Sequence, residues 1–311
     1  MKKINNRIKY LLNRIFLSLK KDGILLSVLK IKKFILRGSK VDLDLLQNKY
    51  SKECLDDLFI RFGTDKGTLD GKKTYYVLNK DANFREKFKN YYQWINREKL
   101  HEFDYQLGLN FTPYYEKHFS ELREKKLNIL EIGVANGHSF AAFFNYFLNS
   151  NFFGIDLKDN YKLFYKSKKY NYFKVDILSQ KEINNFKKKK ISFDIIIDDS
   201  LHEQIGVTTN FKNFYPLLND KGYYVVEDFK LDDLITGETR DYNHKNNKQF
   251  FFFTQFTCEE IFNKIGKKEY FEHSILDKKF LNYVYGNDNI VNTYYGESPF
   301  SSICFINKNV R

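Results

Sequence analysis

The sequence predicts an α/β fold: a doubly wound, mostly parallel sheet of seven strands with a helical N-terminal extension. Three observations predict it. From residue 127 onward, short apolar runs alternate with stretches of helical spacing, the pattern of a parallel sheet covered on both faces. Five of these runs end on a carboxylate, and the first leads into a tight turn holding Gly133 and Gly137.

Residues 1–40 form a distinct arm. Ile4, Ile8, Leu11, Leu12, Ile15 and Leu19 fall at helical spacing with basic residues between them, Gly23 interrupts, and Ile24, Val28, Ile31 and Ile35 predict a second short helix ending near Gly38. The arm carries twelve Lys or Arg against one acid, Asp22, so most of the net charge of +13 resides there. Such an arm suits an anionic membrane surface or an acidic partner. It suits equally a helical hairpin packed on the body or on a second subunit of a homo-oligomer. Residues 41–126 form a mixed region: a polar, turn-rich island at Arg61–Thr68, then helices predicted over 84–100 and 112–125, the latter with Tyr115, Phe119 and Leu122 on one face.

Residues 127–311 carry the sheet. Leu127–Ile132 is the first strand, followed by a helix with Phe140, Phe143, Phe144 and Phe147. Phe152–Ile155 is closed by Asp156, Tyr172–Val175 by Asp176, and Phe193–Ile197 by Asp198 and Asp199. A helix over 203–217 and a turn at 219–222 lead to Tyr223–Val226, closed by Glu227 and Asp228. Ile290–Tyr295 and Ser302–Asn307 read as an antiparallel edge pair. Residues 229–250 are polar and are expected to form either a lid over an acceptor or a disordered loop.

Composition excludes several classes. No run approaches the ~18 apolar residues of a membrane span, and Lys9, Arg14, Lys20 and Lys21 break any secretory core. Cys54, Cys258 and Cys304 are too widely spaced for a metal pair and read as reduced thiols of a cytoplasmic protein. Outside the arm the chain is nearly neutral, which argues against specific nucleic-acid binding.

Ligands of open α/β sheets bind beyond the carboxyl ends of the strands. The loop Glu131–Gly137 lacks the G-x-G-x-x-G that brings backbone N–H groups onto a pyrophosphate. It suits a nucleoside without phosphate, such as S-adenosylmethionine (SAM), with Gly133 and Gly137 allowing close backbone approach. Asp156, 23 residues past Gly133, is near the ~20-residue offset of a ribose-binding acid, and Asp176 can accept from an adenine amino group. Glu131, Gly133, Gly137, Asp156, Asp176 and Asp198 are assigned to this cofactor, although Asp198 also reads as a buried acid capping a turn. His138, beside the loop, caps the next helix or lines the site. Leu130-Glu131-Ile132-Gly133-x-x-x-Gly137 with Gly154-Ile155-Asp156 resembles the first two motifs of class I SAM-dependent methyltransferases. That resemblance implies a Rossmann-like sheet of strand order 3-2-1-4-5-7-6, with strand 7 antiparallel.

The fourth and fifth strand ends can bring Asp199, Glu227 and Asp228 to one point. Clustered carboxylates without cysteine suit a hard cation such as Mg²⁺, and would repel one another without it. Ile197–His202 and Val225–Asp228 are similar to the I-D-D-G-S-H and V-I-E-D pair of metal-dependent sugar O-methyltransferases of the mycinamicin and macrocin type. The resemblance implies that Asp199, Glu227 and Asp228 bind Mg²⁺, that His202 is the general base, and that the acceptor is a sugar hydroxyl, on a nucleotide-linked, lipid-linked or polymeric glycan. Gly63-Thr64-Asp65-Lys66 resembles a polar segment upstream of the family's SAM domain. Two departures concern the acceptor side: Ser200-Leu201 replaces Gly-Ser, and Leu109-Asn110-Phe111-Thr112 replaces the family's His-x-Tyr-Thr, after an insertion over about 70–108. The alternatives are a nucleic-acid methyltransferase, whose Asp-Pro-Pro-Tyr type of loop is absent after the fourth strand, and a non-catalytic module of the same fold.

Overall fold

The structure, a computed structural model, describes residues 41–68, 108–158, 165–229, 256–296 and 301–309. The basic arm at 1–40, the helix expected over 84–100, nearly all of the insertion, and the lid or loop expected over 229–250 beyond Phe229 lie outside the described residues.

Seven strands form one sheet: β1 (Asn128–Ile132), β2 (Asn151–Asp156), β3 (Tyr170–Lys174), β4 (Phe193–Asp198), β5 (Leu218–Glu227), β6 (Asp288–Tyr295) and β7 (Ser302–Asn309). Their order is 3-2-1-4-5-7-6. β1 to β5 pair in parallel, and β7 runs antiparallel to both β5 and β6. Strand order reverses between β1 and β4, so the crevice at their carboxyl ends is where an open sheet takes a ligand.

Parity along the strands sorts side chains between two cores. Helices α1 (Leu43–Tyr50), α2 (Leu55–Phe62), α3 (Thr112–Phe119) and α4 (His138–Tyr146) cover one face, packing Phe59, Tyr115 and Phe143 on Ile129, Ile195, Ile197, Val225 and Phe305. Helices α5 (Gln180–Lys187), α6 (Gln204–Phe214), α7 (Cys258–Lys267) and α8 (Lys278–Tyr285) cover the other, packing Phe186, Phe211, Phe262 and Phe280 around Leu130, Ile196, Tyr224 and Val226. The helices of the 41–126 region therefore share a core with the sheet.

Local signals explain the boundaries. α2 opens with Asp56 and Asp57 and closes with Arg61, matching its dipole, and Gly63 at φ +76° ends it. α7 has a capping box of Thr257 and Glu260. The helix expected over 112–125 stops at Phe119 and passes into a 3-10 turn at Ser120–Leu122. The turn expected at 219–222 is an irregularity inside β5: pairing with β4 slips between Phe193↔Leu218 and Ile195↔Tyr223, and Lys221 has φ +63°. None of the three cysteines forms a disulfide among the described residues, and Cys258 and Cys304 are buried. Among the described residues no helix is long and apolar enough to cross a membrane.

Candidate active site

The turn after β1 is held by its neighbours. The Gly133 N–H donates to the Ile155 carbonyl at 2.8 Å, and that of Gly137 to Val134 at 2.8 Å. Both glycines have positive φ, +92° and +86°. A Cβ on Gly133 would lie 2.0 Å from the Asp199 carbonyl oxygen, so this glycine is required first by the close passage of the chain leaving β4. Asp156 is buried at the end of β2; its Oδ2 accepts from the Ala135 N–H at 2.7 Å and its Oδ1 from the Lys158 N–H at 2.8 Å. It thus fixes the turn, and each oxygen keeps a lone pair for a ligand hydroxyl.

Glu131 is buried on the α1–α4 face. Its Oε1 accepts from the Ser139 hydroxyl, and its Oε2 is buried with no hydrogen-bond partner among the described residues. Burial pushes its carboxyl up to about 7, against the pull of Lys66. An unpartnered buried carboxylate oxygen is costly and suits a cationic donor, such as the α-amino group of an amino-acid cofactor.

Two of the assigned cofactor residues serve the fold in visible ways. Asp176 lies past β3 and closes a turn, Oδ1 accepting from the Leu178 N–H at 3.0 Å. Asp198 does not join the site: it pairs in register with Ile132 and Val226, residues of the opposite core. Its carboxylate accepts from Ser200 Oγ at 2.7 Å, Asn210 Nδ2 at 2.9 Å and the Tyr224 hydroxyl at 3.3 Å. This is the buried, turn-capping acid of the alternative reading, and burial raises it to about 7.

Asp199, one residue on, turns into the crevice. Its N–H donates to the Ile132 carbonyl at 2.9 Å, prolonging the β1–β4 pairing. One oxygen each of Asp199 and Asp228 and one ring nitrogen of His202 all lie within 4.8 Å of one another. Asp228 follows β5 at φ +50°, tied by its N–H to the Ser302 carbonyl at 2.7 Å, and its Oδ1 is buried without a partner among the described residues. Burial, with Asp199 and Glu227 close by, holds Asp228 well above the usual carboxylate range. The His202 Nδ1 lies 3.3 Å from the Glu227 carbonyl, which can only accept, so Nδ1 carries the proton. In the neutral ring Nε2 then carries the lone pair; it faces the cluster, 3.7 Å from Asp199 Oδ1.

Glu227 is held differently. It is fully buried, one oxygen accepting from the Tyr115 hydroxyl and the other from the ammonium of Lys66. The same ammonium donates to Asp199 Oδ2 at 2.6 Å. Burial alone would lower the Lys66 pKa, but Asp199 and Glu227 outweigh it and hold the ammonium well above its ordinary value. Burial in turn holds Glu227 above its ordinary value in spite of Lys66. Sequence reasoning placed Lys66 in a motif without giving it a task and did not place Tyr115 in the site. Parity offered a signal for the face of Glu227, which pairs with Ile303 on the side that Tyr115 and Phe305 occupy.

Lys66 is positioned by a strap. After the αL residue Gly63, residues 65–68 pair with 108–111: the Leu109 N–H donates to Asp65 at 2.6 Å and that of Phe111 to Lys66 at 2.8 Å. Leu109–Thr112, which departs from the family pattern, thus backs the lysine directly.

The strand order with an antiparallel β7 is now joined to a two-glycine turn, a β2 acid and an acid cluster in one crevice. The fold is that of the class I methyltransferases. No family model matches it. In sequence this methyltransferase-fold chain is similar to mycinamicin VI 2''-O-methyltransferase of Micromonospora griseorubida, 29% identical over 125 residues, which are 38% of the chain and 31% of that protein. It is similar to demethylmacrocin O-methyltransferase of Streptomyces fradiae to the same extent: 29% over 125 residues, 38% of the chain and 31% of that protein. The chain thus spans about a third of the length of these relatives. Among solved structures, the methyltransferase MycE of the mycinamycin pathway, in complex with Mg, SAH and mycinamycin VI, superposes with a TM-score of 0.48 at 20% identity. The match covers 64% of this chain and 50% of that one.

Proposed function

We propose that this chain transfers a methyl group from SAM to a sugar hydroxyl with the help of a divalent cation, Mg²⁺. The observation that carries the reading is the meeting of Asp199, His202 and Asp228 within 4.8 Å, beside the Glu131–Gly137 turn. The names of the sugar O-methyltransferases it resembles point to a glycoside acceptor.

The residues fit both absent groups. Oε2 of Glu131, without a partner among the described residues, suits the cofactor's α-amino group, and Asp156 its ribose hydroxyls. Oδ1 of Asp228, without a partner among the described residues and with Asp199 across from it, suits a hard cation. When bound, the sulfonium supplies an activated methyl group, and the divalent cation supplies positive charge that favours an ionised hydroxyl. Because a hard cation prefers oxygen, the two aspartates are the proposed ligands and His202 is left for the proton. With Nδ1–H anchored on the Glu227 carbonyl, Nε2 has the lone pair and the orientation of a general base. Glu227, in this reading, orders the site through Lys66 and Tyr115.

Binding calorimetry with SAM, followed by single-turnover transfer to a panel of glycosides, tests the proposal. Wild type should bind SAM and methylate at least one glycoside. His202→Ala should keep SAM affinity while transfer falls about 10²–10⁴-fold. A wild-type chain that fails to bind SAM would leave only a scaffold of this fold.

A further inference from the structure

The lysine at the centre of the acid cluster has a consequence for the metal. We propose that Lys66 is the site's resident cation: its ammonium holds Asp199 and Glu227 together and competes with a divalent ion for those two carboxylates. The proposal rests on the reading of the crevice as a divalent-cation site and says which part of it is open.

The geometry divides the crevice into two cationic positions. One is filled. The Lys66 side chain is 3% exposed and donates to Asp199 Oδ2 at 2.6 Å and to Glu227, whose other oxygen takes the Tyr115 hydroxyl. Four backbone hydrogen bonds between residues 65–68 and 108–111 hold the lysine's segment there. An ammonium buried between two carboxylates does not leave readily, since removing one partner of a buried ion group strands the others. The second position is bounded by Asp199, Asp228 and the His202 ring. There Asp228 Oδ1 has no partner among the described residues, so the single charge of Lys66 does not satisfy the cluster.

At the second position Asp199 and Asp228 would offer a divalent ion two carboxylates and leave the rest of its shell to water or acceptor hydroxyls. Affinity in such sites rises with the number of charged ligands. Without the ammonium, Glu227 and the second oxygen of Asp199 would turn to the ion, giving a tighter, three-carboxylate site. Lys66 on this view keeps the ion weakly held, with positions left for the acceptor.

Mn²⁺ binding to the full chain, followed by electron paramagnetic resonance, tests this for wild type, Lys66→Met, Lys66→Arg and Glu227→Gln, with thermal melting and SAM calorimetry as separate readouts. Lys66→Met should bind Mn²⁺ at least about tenfold more tightly than wild type, whereas Lys66→Arg, which keeps the cation, should stay near it. Glu227→Gln should leave Mn²⁺ affinity within about threefold, because that carboxylate faces the lysine rather than the open position. Wild-type binding with no tightening in a folded Lys66→Met overturns the competition while leaving the divalent reading intact. Binding only in Lys66→Met supports the competition and contradicts metal use by wild type. Binding in neither overturns both. Should Lys66→Met fail to fold, Glu227→Gln decides: a tenfold loss of Mn²⁺ affinity would make Glu227 a ligand and overturn the proposal.

Discussion

A methyl group on Gly133 would meet the Asp199 carbonyl oxygen at 2.0 Å, and the residue's φ of +92° is strained for any side chain. The two effects together put the cost of Gly133→Ala at about 2–4 kcal/mol, measurable by chemical denaturation. An unchanged midpoint would mean that the β1 and β4 exits do not touch as described. A second residue reports on pH. His273 Nδ1 accepts from the N–H groups of Ile275 and Leu276, both at 3.1 Å, so a proton there would face two donors. Burial, with Lys212 nearby, lowers its pKa to about 4 from the ordinary 6.5. Between those values the unfolded chain binds more protons than the folded one. This contribution to stability is therefore complete above pH 6.5 and is lost as the pH falls toward 4. His273→Ala should melt lower at neutral pH yet show a shallower fall in Tm across that window; an identical slope would contradict the account. Residue types alone did not disclose these tasks. Asp198 and Asp199 are adjacent carboxylates, and only the period of two, applied from Ile195 through Ile197, separates the fold-holding acid from the one in the crevice.

At the scale of elements, the strap matters most. Asp56 in the first turn of α2 accepts from the Thr68 N–H at 2.7 Å, from the Thr68 hydroxyl, and from the Thr112 hydroxyl at 2.8 Å, tying the Lys66 segment to the start of α3. Asp56→Ala should cost about 1–3 kcal/mol in urea unfolding and lower transfer activity more than SAM affinity, because Asp56 supports the acid cluster and has no contact with the Glu131–Gly137 turn. Equal losses in both would place the strap's role elsewhere. The five parallel strands were legible because each apolar run ends on a carboxylate and β1 opens a glycine turn. The helices α7 and α8 were not read, although Thr257 and Glu260 form a capping box, because the aromatic run before α7, Phe250–Phe253 with Phe256, is continuous and gives no helical period to mark a start. The slipped pairing before Tyr223 was legible only as a turn, since the polar residues 219–222 carry that signal whether or not the backbone stays in the sheet.

For the whole molecule, the two cores set what meets at the crevice. The α1–α4 face delivers Lys66 and Tyr115 to Glu227, while the opposite face buries Asp198 and seals the sheet from behind. The sheet order was legible through the motifs at Glu131–Gly137 and Asp156. The partnership between residues 66 and 227, 161 positions apart, was not, because nothing local in the sequence encodes a contact made by the packing of α2 and α3 on the sheet. The central claim is that this assembly transfers a methyl group to a sugar hydroxyl and needs a divalent cation to do so. Transfer of labelled methyl from SAM to glycosides, with Mg²⁺ and then with excess EDTA, tests it most directly. The account predicts label in the glycoside with Mg²⁺, loss on chelation, and recovery when the cation is restored; full transfer in excess EDTA would contradict it.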